Sequence, residues 1–110
     1  MFMKVIKQEK VNELLKAVLM LENLAEARAF FRDLLTEKEL LEFGSRWEAA
    51  RMLSQRKPYW EIQKKTKLSS RTIARVAKWL SNGEGGYKKL IKKIDKNHHN
   101  KTFPLGRELS

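Results

Sequence analysis

The chain has 110 residues, 24 Lys plus Arg against 13 Asp plus Glu, a formal net charge of +11 and no cysteine. That length is one domain's worth, and the missing cysteines exclude disulfides, Cys-zinc sites and thiol catalysis. No apolar run reaches the roughly 20 residues of a membrane helix, and no secretory h-region opens the chain, so a cytoplasmic protein with no membrane contact is expected.

The charge is uneven. Residues 1–43 carry 7 basic and 8 acidic side chains, whereas residues 44–110 carry 17 basic and 5 acidic ones. A near-neutral half joined to a strongly basic half suggests a scaffold joined to a surface for a polyanion.

Helical periodicity dominates as far as about Asn97, where it fades, and predicts an all-α, multi-helix bundle. Val11, Leu14, Leu15, Val18 and Leu19 place a first helix over about Lys7 to Leu21. Leu24, Ala27, Phe30, Phe31, Leu34 and Leu35 repeat the pattern behind Asn23, a suitable N-cap. Thr36 and Glu39 read as a capping box. The helix behind it carries Leu40, Phe43, Trp47, Ala50 and Leu53 and extends to about Gln55. Gly44 inside it costs about 1 kcal/mol against alanine, which suggests a close helix approach or a kink. The first two apolar stripes can pack on this third helix or on a second copy of the chain. Phe30, Phe31, Phe43 and Trp47 favour a sizeable buried surface either way.

Pro58 starts a short helix ending near Thr66, since its missing N–H is not needed in a first turn. Lys67-Leu68-Ser69 is a tight connection, and Ser69 or Ser70 can cap the next helix, with Ile73, Val76, Ala77 and Leu80 on its apolar side. Asn82-Gly83 ends that helix, with one of them expected in the left-handed conformation. Tyr87, Leu90, Ile91 and Ile94 define a last helix. A domain over 1–96 and a flexible tail over 97–110 are expected.

The segment from about 58 to 80 has the pattern of a helix-turn-helix. Two helices joined by a short turn need apolar residues on the first, in the turn and on the second. Ile62, Leu68, Ile73 and Val76 stand there, with Thr66 as the small residue before the turn. Ser69, Ser70, Arg71, Thr72, Arg75 and Lys78 then face outward, none of them apolar or acidic. Arginine can contact guanine through two hydrogen bonds, and the free N–H groups of a helix start suit phosphate. Ser70, Arg71, Thr72 and Arg75 are therefore assigned to bases, and Lys67, Ser69 and Lys78 to phosphates of double-stranded DNA. Lys67 stands where a turn glycine is frequent, and Gln63 where alanine is.

Leu35-Thr36-Glu37-Lys38-Glu39, Arg46 to Leu53 and Tyr59 to Val76, including Thr72-Ile73-Ala74-Arg75-Val76, resemble the Trp-repressor-like family, in particular its YerC/YecD branch. The resemblance spans about Leu14 to Tyr87. It implies an intertwined homodimer built mainly from the N-terminal helices, DNA binding by the fourth and fifth helices, and transcriptional regulation, most often repression. In the tryptophan-binding member an arginine at the place of Arg75 is followed by glycine. Here Val76 follows and would fill space the indole needs, so no tryptophan corepressor is expected and no cofactor-binding residue is carried over.

The remaining features read plainly. His98 and His99 are adjacent, lack a carboxylate or cysteine cluster, and are not expected to bind metal. Gly83-Glu84-Gly85-Gly86 lacks a phosphate-loop pattern. Trp60 and Trp79 are read as packing aromatics rather than base-stacking ones. Lys88, Lys89, Lys92 and Lys93 are placed near flanking phosphates. No nucleophile–base pair suggests an enzyme. The alternatives to a sequence-specific regulator are a protein–protein adaptor and a nonspecific nucleic-acid-binding module on the same scaffold.

Overall fold

The computed structural model describes the backbone of residues 2–100 and the side chains of residues 4–97. Among the described residues there are seven helices and no strand: α1 (Phe2–Ile6), α2 (Glu9–Leu19), α3 (Leu24–Leu34), α4 (Glu37–Ser54), α5 (Tyr59–Thr66), α6 (Ser70–Asn82) and α7 (Gly86–Asn100). The chain falls into two compact units, divided between Leu41 and Glu42.

In the first unit, the helix expected over Lys7 to Leu21 is shorter and is preceded by a separate one. Gln8 stands at the junction in extended conformation and gives α2 no side-chain cap. No glycine or proline marks that break in the sequence. The two later starts obey capping chemistry. The Asn23 side chain accepts from the Glu26 N–H at 2.8 Å. The Thr36 hydroxyl accepts from the Glu39 N–H at 3.1 Å, and the Glu39 carboxylate accepts from the Thr36 N–H at 2.9 Å. Both bonds of the capping box are thus formed. No residue of α2 or α3 is fully buried. Val11, Leu14, Val18, Ala27, Phe30 and Phe31 are half-buried, while Leu19 is 83% and Leu24 61% exposed.

The second unit holds the core. Ala49 and Ala50 of α4, Ile62 of α5, Ile73 and Val76 of α6 and Ile91 of α7 are buried together, with Trp47, Met52, Leu53, Leu68, Leu80 and Tyr87 packed against them. The spacings 73/76/80 and 87/91 put one stripe of each helix inward. Helix α4 passes uninterrupted through Gly44, and a Cβ built there meets nothing within 4 Å. Neither alternative offered for that glycine, a close helix approach or a kink, is realised among the described residues.

Helix α4 ends in a Schellman arrangement. Arg56 takes φ +63°, its N–H donates to Leu53 O at 2.9 Å, and the Lys57 N–H donates to Met52 O at 3.0 Å. Pro58 then prevents continuation and serves as N-cap of α5. At the end of α6 the left-handed position differs from the expectation. Gly83 has φ −82°, and the positive value belongs to Gly85, at +93°. Glycine is still required at 83, because a Cβ there would lie 2.4 Å from Trp79 O. Helix α7 continues to Asn100, past the start read for the tail. Residues 101–110 lie outside the described residues, as do the side chains of His98 and His99.

Candidate nucleic-acid interface

The turn between α5 and α6 is held by one buried side chain. Thr66 is 5% exposed. Its hydroxyl donates to Ile62 O at 2.7 Å and accepts from the Leu68 N–H at 3.2 Å. The first bond closes the last turn of α5; the second fixes the residue that drops Leu68 toward the core. Between them Lys67 adopts φ +65°, ψ +12°, and its N–H donates to Gln63 O at 2.8 Å. A glycine would take this conformation without a Cβ penalty. The lysine takes it because the bonds on either side leave the chain no other course.

Ser69 caps α6. Its hydroxyl accepts from the Thr72 N–H at 3.1 Å and donates to the Thr72 hydroxyl at 3.1 Å. A hydroxyl has a single proton to donate, so the proton of Ser69 is spent inside the cap and that of Thr72 remains available. The N–H groups of Ser70 and Arg71, in the first turn, have no acceptor among the described residues. They add partial positive charge at the helix start.

Five of the seven residues singled out in the sequence are set along α6, with Lys67 and Ser69 in the turn before it. At about 100° per residue, Arg71, Arg75 and Lys78 fall within an arc of about 60°, opposite Ile73. All three are exposed. Asn82 continues the stripe and was not anticipated, although the i, i+4, i+7, i+11 spacing would have found it. Ser70 flanks the stripe on one side and the half-buried Thr72 on the other.

The electrostatics are one-sided. The ion pairs among the described residues are Lys16–Glu13, Arg46–Glu42, Lys57–Glu61 and Lys65–Glu48. None of them neutralises Arg71, Arg75 or Lys78. Helices α2 to α5 each carry a glutamate in the first turn, and α6 carries no acidic residue there. An acidic side chain at that place would satisfy the helix start internally and repel an outside anion.

One aromatic, Trp60, departs from its sequence reading. Trp60 is 66% exposed and Trp79 47% exposed. Trp60 stands two residues from Ile62, about 200° round the helix, and so points away from the core. The Lys78 ammonium lies 5.8 Å from the centroid of the Trp79 ring, a cation–π distance. Val76, by contrast, is 3% exposed and belongs to the core. A groove beside α4 and α5 is lined by Trp47, Glu48, Arg51, Glu61, Lys65 and their neighbours. Its mixed charge does not suit a polyanion. Among the described residues no cluster of His, Asp and Glu could hold a metal ion, and no helix is long and apolar enough to cross a membrane.

The family model described as Trp repressor protein matches residues 9–95. The chain belongs to the Trp repressor family. It is similar to the uncharacterized protein YerC of Bacillus subtilis strain 168, at 32% identity over 89 residues, which covers 81% of this chain and 86% of that protein. A crystal structure of a TrpR-like protein from Eubacterium eligens superposes with a TM-score of 0.80 at 36% identity, covering 84% of this chain and 95% of that one. A candidate Trp repressor from Staphylococcus aureus gives the same TM-score at 30% identity, covering 86% and 95%. The all-α, Trp-repressor-like fold expected from the sequence is thereby established, and the α5–turn–α6 segment lies wholly inside the part of the chain that matches the family.

Proposed function

We infer that the protein is a sequence-specific regulator of transcription, acting as a repressor, which binds double-stranded DNA by laying α6 in the major groove. The observation that carries this reading is the exposed stripe Arg71–Arg75–Lys78. Among the described residues it has no carboxylate partner, and it runs from a helix start with two unspent N–H groups. Arg71 and Arg75 offer paired donors to guanine, and Ser70 and the Thr72 hydroxyl approach neighbouring base edges. Lys67, Lys78 and the first-turn N–H groups meet phosphates. Ser69 serves the same contact from the cap, through the geometry it imposes rather than through its own committed proton.

The working form is a homodimer. Support comes from the first unit, whose helices α2 and α3 bury no residue fully while exposing Leu19 and Leu24. A second copy would cover such a surface and give a two-fold reading head with half-sites one helical turn apart. Tryptophan is not needed for binding, because Val76 fills the core with a side chain where the resemblance calls for glycine. The protein works where the DNA is, in the cytoplasm.

The deciding experiment is selection from a randomised duplex pool at about 150 mM salt, where nonspecific attraction is reduced. Recovery of a two-fold-symmetric motif is the expected outcome. Tight binding without any motif would reduce the protein to a nonspecific binder, and absence of binding at every salt concentration would leave a protein–protein adaptor.

A further inference from the structure

Helix α7 separates its side chains as sharply as α6 does. Ile91 is buried and Tyr87 half-buried against the core, with Leu90 and Ile94 partly exposed beside them. Lys88, Lys89, Lys92, Lys93 and Lys96 occupy an arc of about 140° on the other side, and all five are exposed. Asp95 is the only acidic residue of the helix and lies at the edge of that arc. None of the five ammonium groups has a carboxylate partner among the described residues.

This arrangement is locally unfavourable. Lys88–Lys92–Lys96 and Lys89–Lys93 are like-charge pairs at i, i+4, which weaken a helix. Lys88 and Lys89 also sit in the first turn, where the helix dipole favours acidic residues and none is present. Local rules broken without a compensating internal contact point to an external partner. Its charge must be negative, and its spacing must accept ammonium groups one helical turn apart. The place of α7 in the chain narrows the choice. The cationic residues of α6 end at Lys78 and its exposed stripe continues to Asn82; Gly86 begins α7 after a three-residue link, so the two helix ends are at most about 15 Å apart. Helices α6 and α7 pack on each other, so a polyanion held by α6 lies close to α7.

We propose that the lysine face of α7 is a second, sequence-independent contact to the DNA backbone, outside the half-site read by α6. The inference rests on the DNA-binding reading above. It assigns to α7 a share of the affinity and of its salt dependence, and no share of base discrimination.

The test compares the full-length protein with K88Q/K92Q/K96Q, and with K4Q/K7Q/K10Q as a control that removes the same charge from the first unit. Glutamine keeps helix propensity close to that of lysine, and circular dichroism verifies that each variant is folded. Affinity for a selected duplex is measured from 50 to 200 mM salt. Three lost phosphate contacts lower the slope of log affinity against log salt by about 2.7, so over that range the parent loses about 40-fold more affinity than the α7 variant. The ratio of selected to random duplex stays unchanged, and the control keeps the parental slope. A parental slope in the α7 variant, or an equal drop in the control, overturns the proposal and leaves the face to an acidic protein partner. Failure of the parent itself to prefer any duplex would instead remove the DNA reading, and this inference with it.

Discussion

The Tyr87 ring stacks on Trp47, with centroids 6.2 Å apart and planes inclined by 28°. The contact joins the last helix to α4, and with Ile91 it holds α7 on the core. Offset-stacked rings contribute about 0.5–1.5 kcal/mol beyond the area they bury. Removing a half-buried ring also leaves a gap beside Trp47. Tyr87→Ala should therefore cost about 2 kcal/mol of stability, read as a lower urea midpoint, whereas Tyr87→Phe should leave the midpoint nearly unchanged. If Tyr87→Phe cost as much as the alanine variant, the phenol oxygen rather than the ring would be the anchor.

The α5–α6 turn depends on Thr66. Valine has nearly the same shape but cannot donate to Ile62 O or accept from the Leu68 N–H. Leaving a partly buried N–H unpaired costs about 1–3 kcal/mol. Thr66→Val should lower the thermal midpoint by several degrees and weaken DNA binding, because the start of α6 is set by this turn. Thr66→Ser, which keeps the hydroxyl, should recover most of both losses.

Much of this was legible in the sequence because it is local chemistry. Asn23, the Thr36/Glu39 pair and Ser69 announce helix starts by the bonds they form, and the apolar positions 62, 68, 73 and 76 place the helix-turn-helix to within a residue or two. The break at Lys7-Gln8 left no signal, since neither residue is a turn former and Gln8 makes no capping bond. The stripes of α2 and α3 were visible, yet a stripe does not say what covers it. Trp60 was misread because aromatic residues usually pack, while its place on the helix is outward. The left-handed residue after α6, expected at Asn82 or Gly83, is Gly85: Gly83 is demanded by the nearby Trp79 carbonyl rather than by φ, and a run with three glycines does not indicate which one turns.

Lys67 sets stability against function. At φ +65° its Cβ is strained by about 1 kcal/mol or somewhat more, part of which glycine would return as lost chain entropy. Lys67→Gly should stabilise the fold by up to about 1 kcal/mol. If Lys67 holds a phosphate, the same change should lower the salt slope of DNA binding by about 0.9. A more stable variant with an unchanged slope would remove Lys67 from the interface.

The uncovered stripes of the first unit predict a stability that depends on protein concentration. A fold completed by a second copy melts higher as concentration rises, by mass action. Leu19, 83% exposed in the single chain, is a sensitive probe. Leu19→Lys should lower the melting temperature at high concentration and shift the protein toward monomer in sedimentation. A melting temperature independent of concentration over two decades would place the covering surface elsewhere.

Arg71 and Lys78 share the exposed stripe of α6, and under the proposed DNA reading they would stand at different depths in the groove. Arg71 is in the first turn, beside the unspent N–H groups that would meet phosphate, and its planar fork can span two acceptors of one guanine. Lys78 lies two turns later as a point charge beside the Trp79 ring. Arg71→Ala should therefore cost about 1–3 kcal/mol on the selected duplex, with little loss on random DNA, and should relax the base preference at one position of each half-site. Lys78→Ala should weaken both duplexes alike and lower the salt slope by about 0.9. The two variants exchange patterns if α6 lies in the groove with its C-terminal end deepest. Uniform loss from both would mean that the stripe senses only charge, and the protein would then bind DNA without reading it.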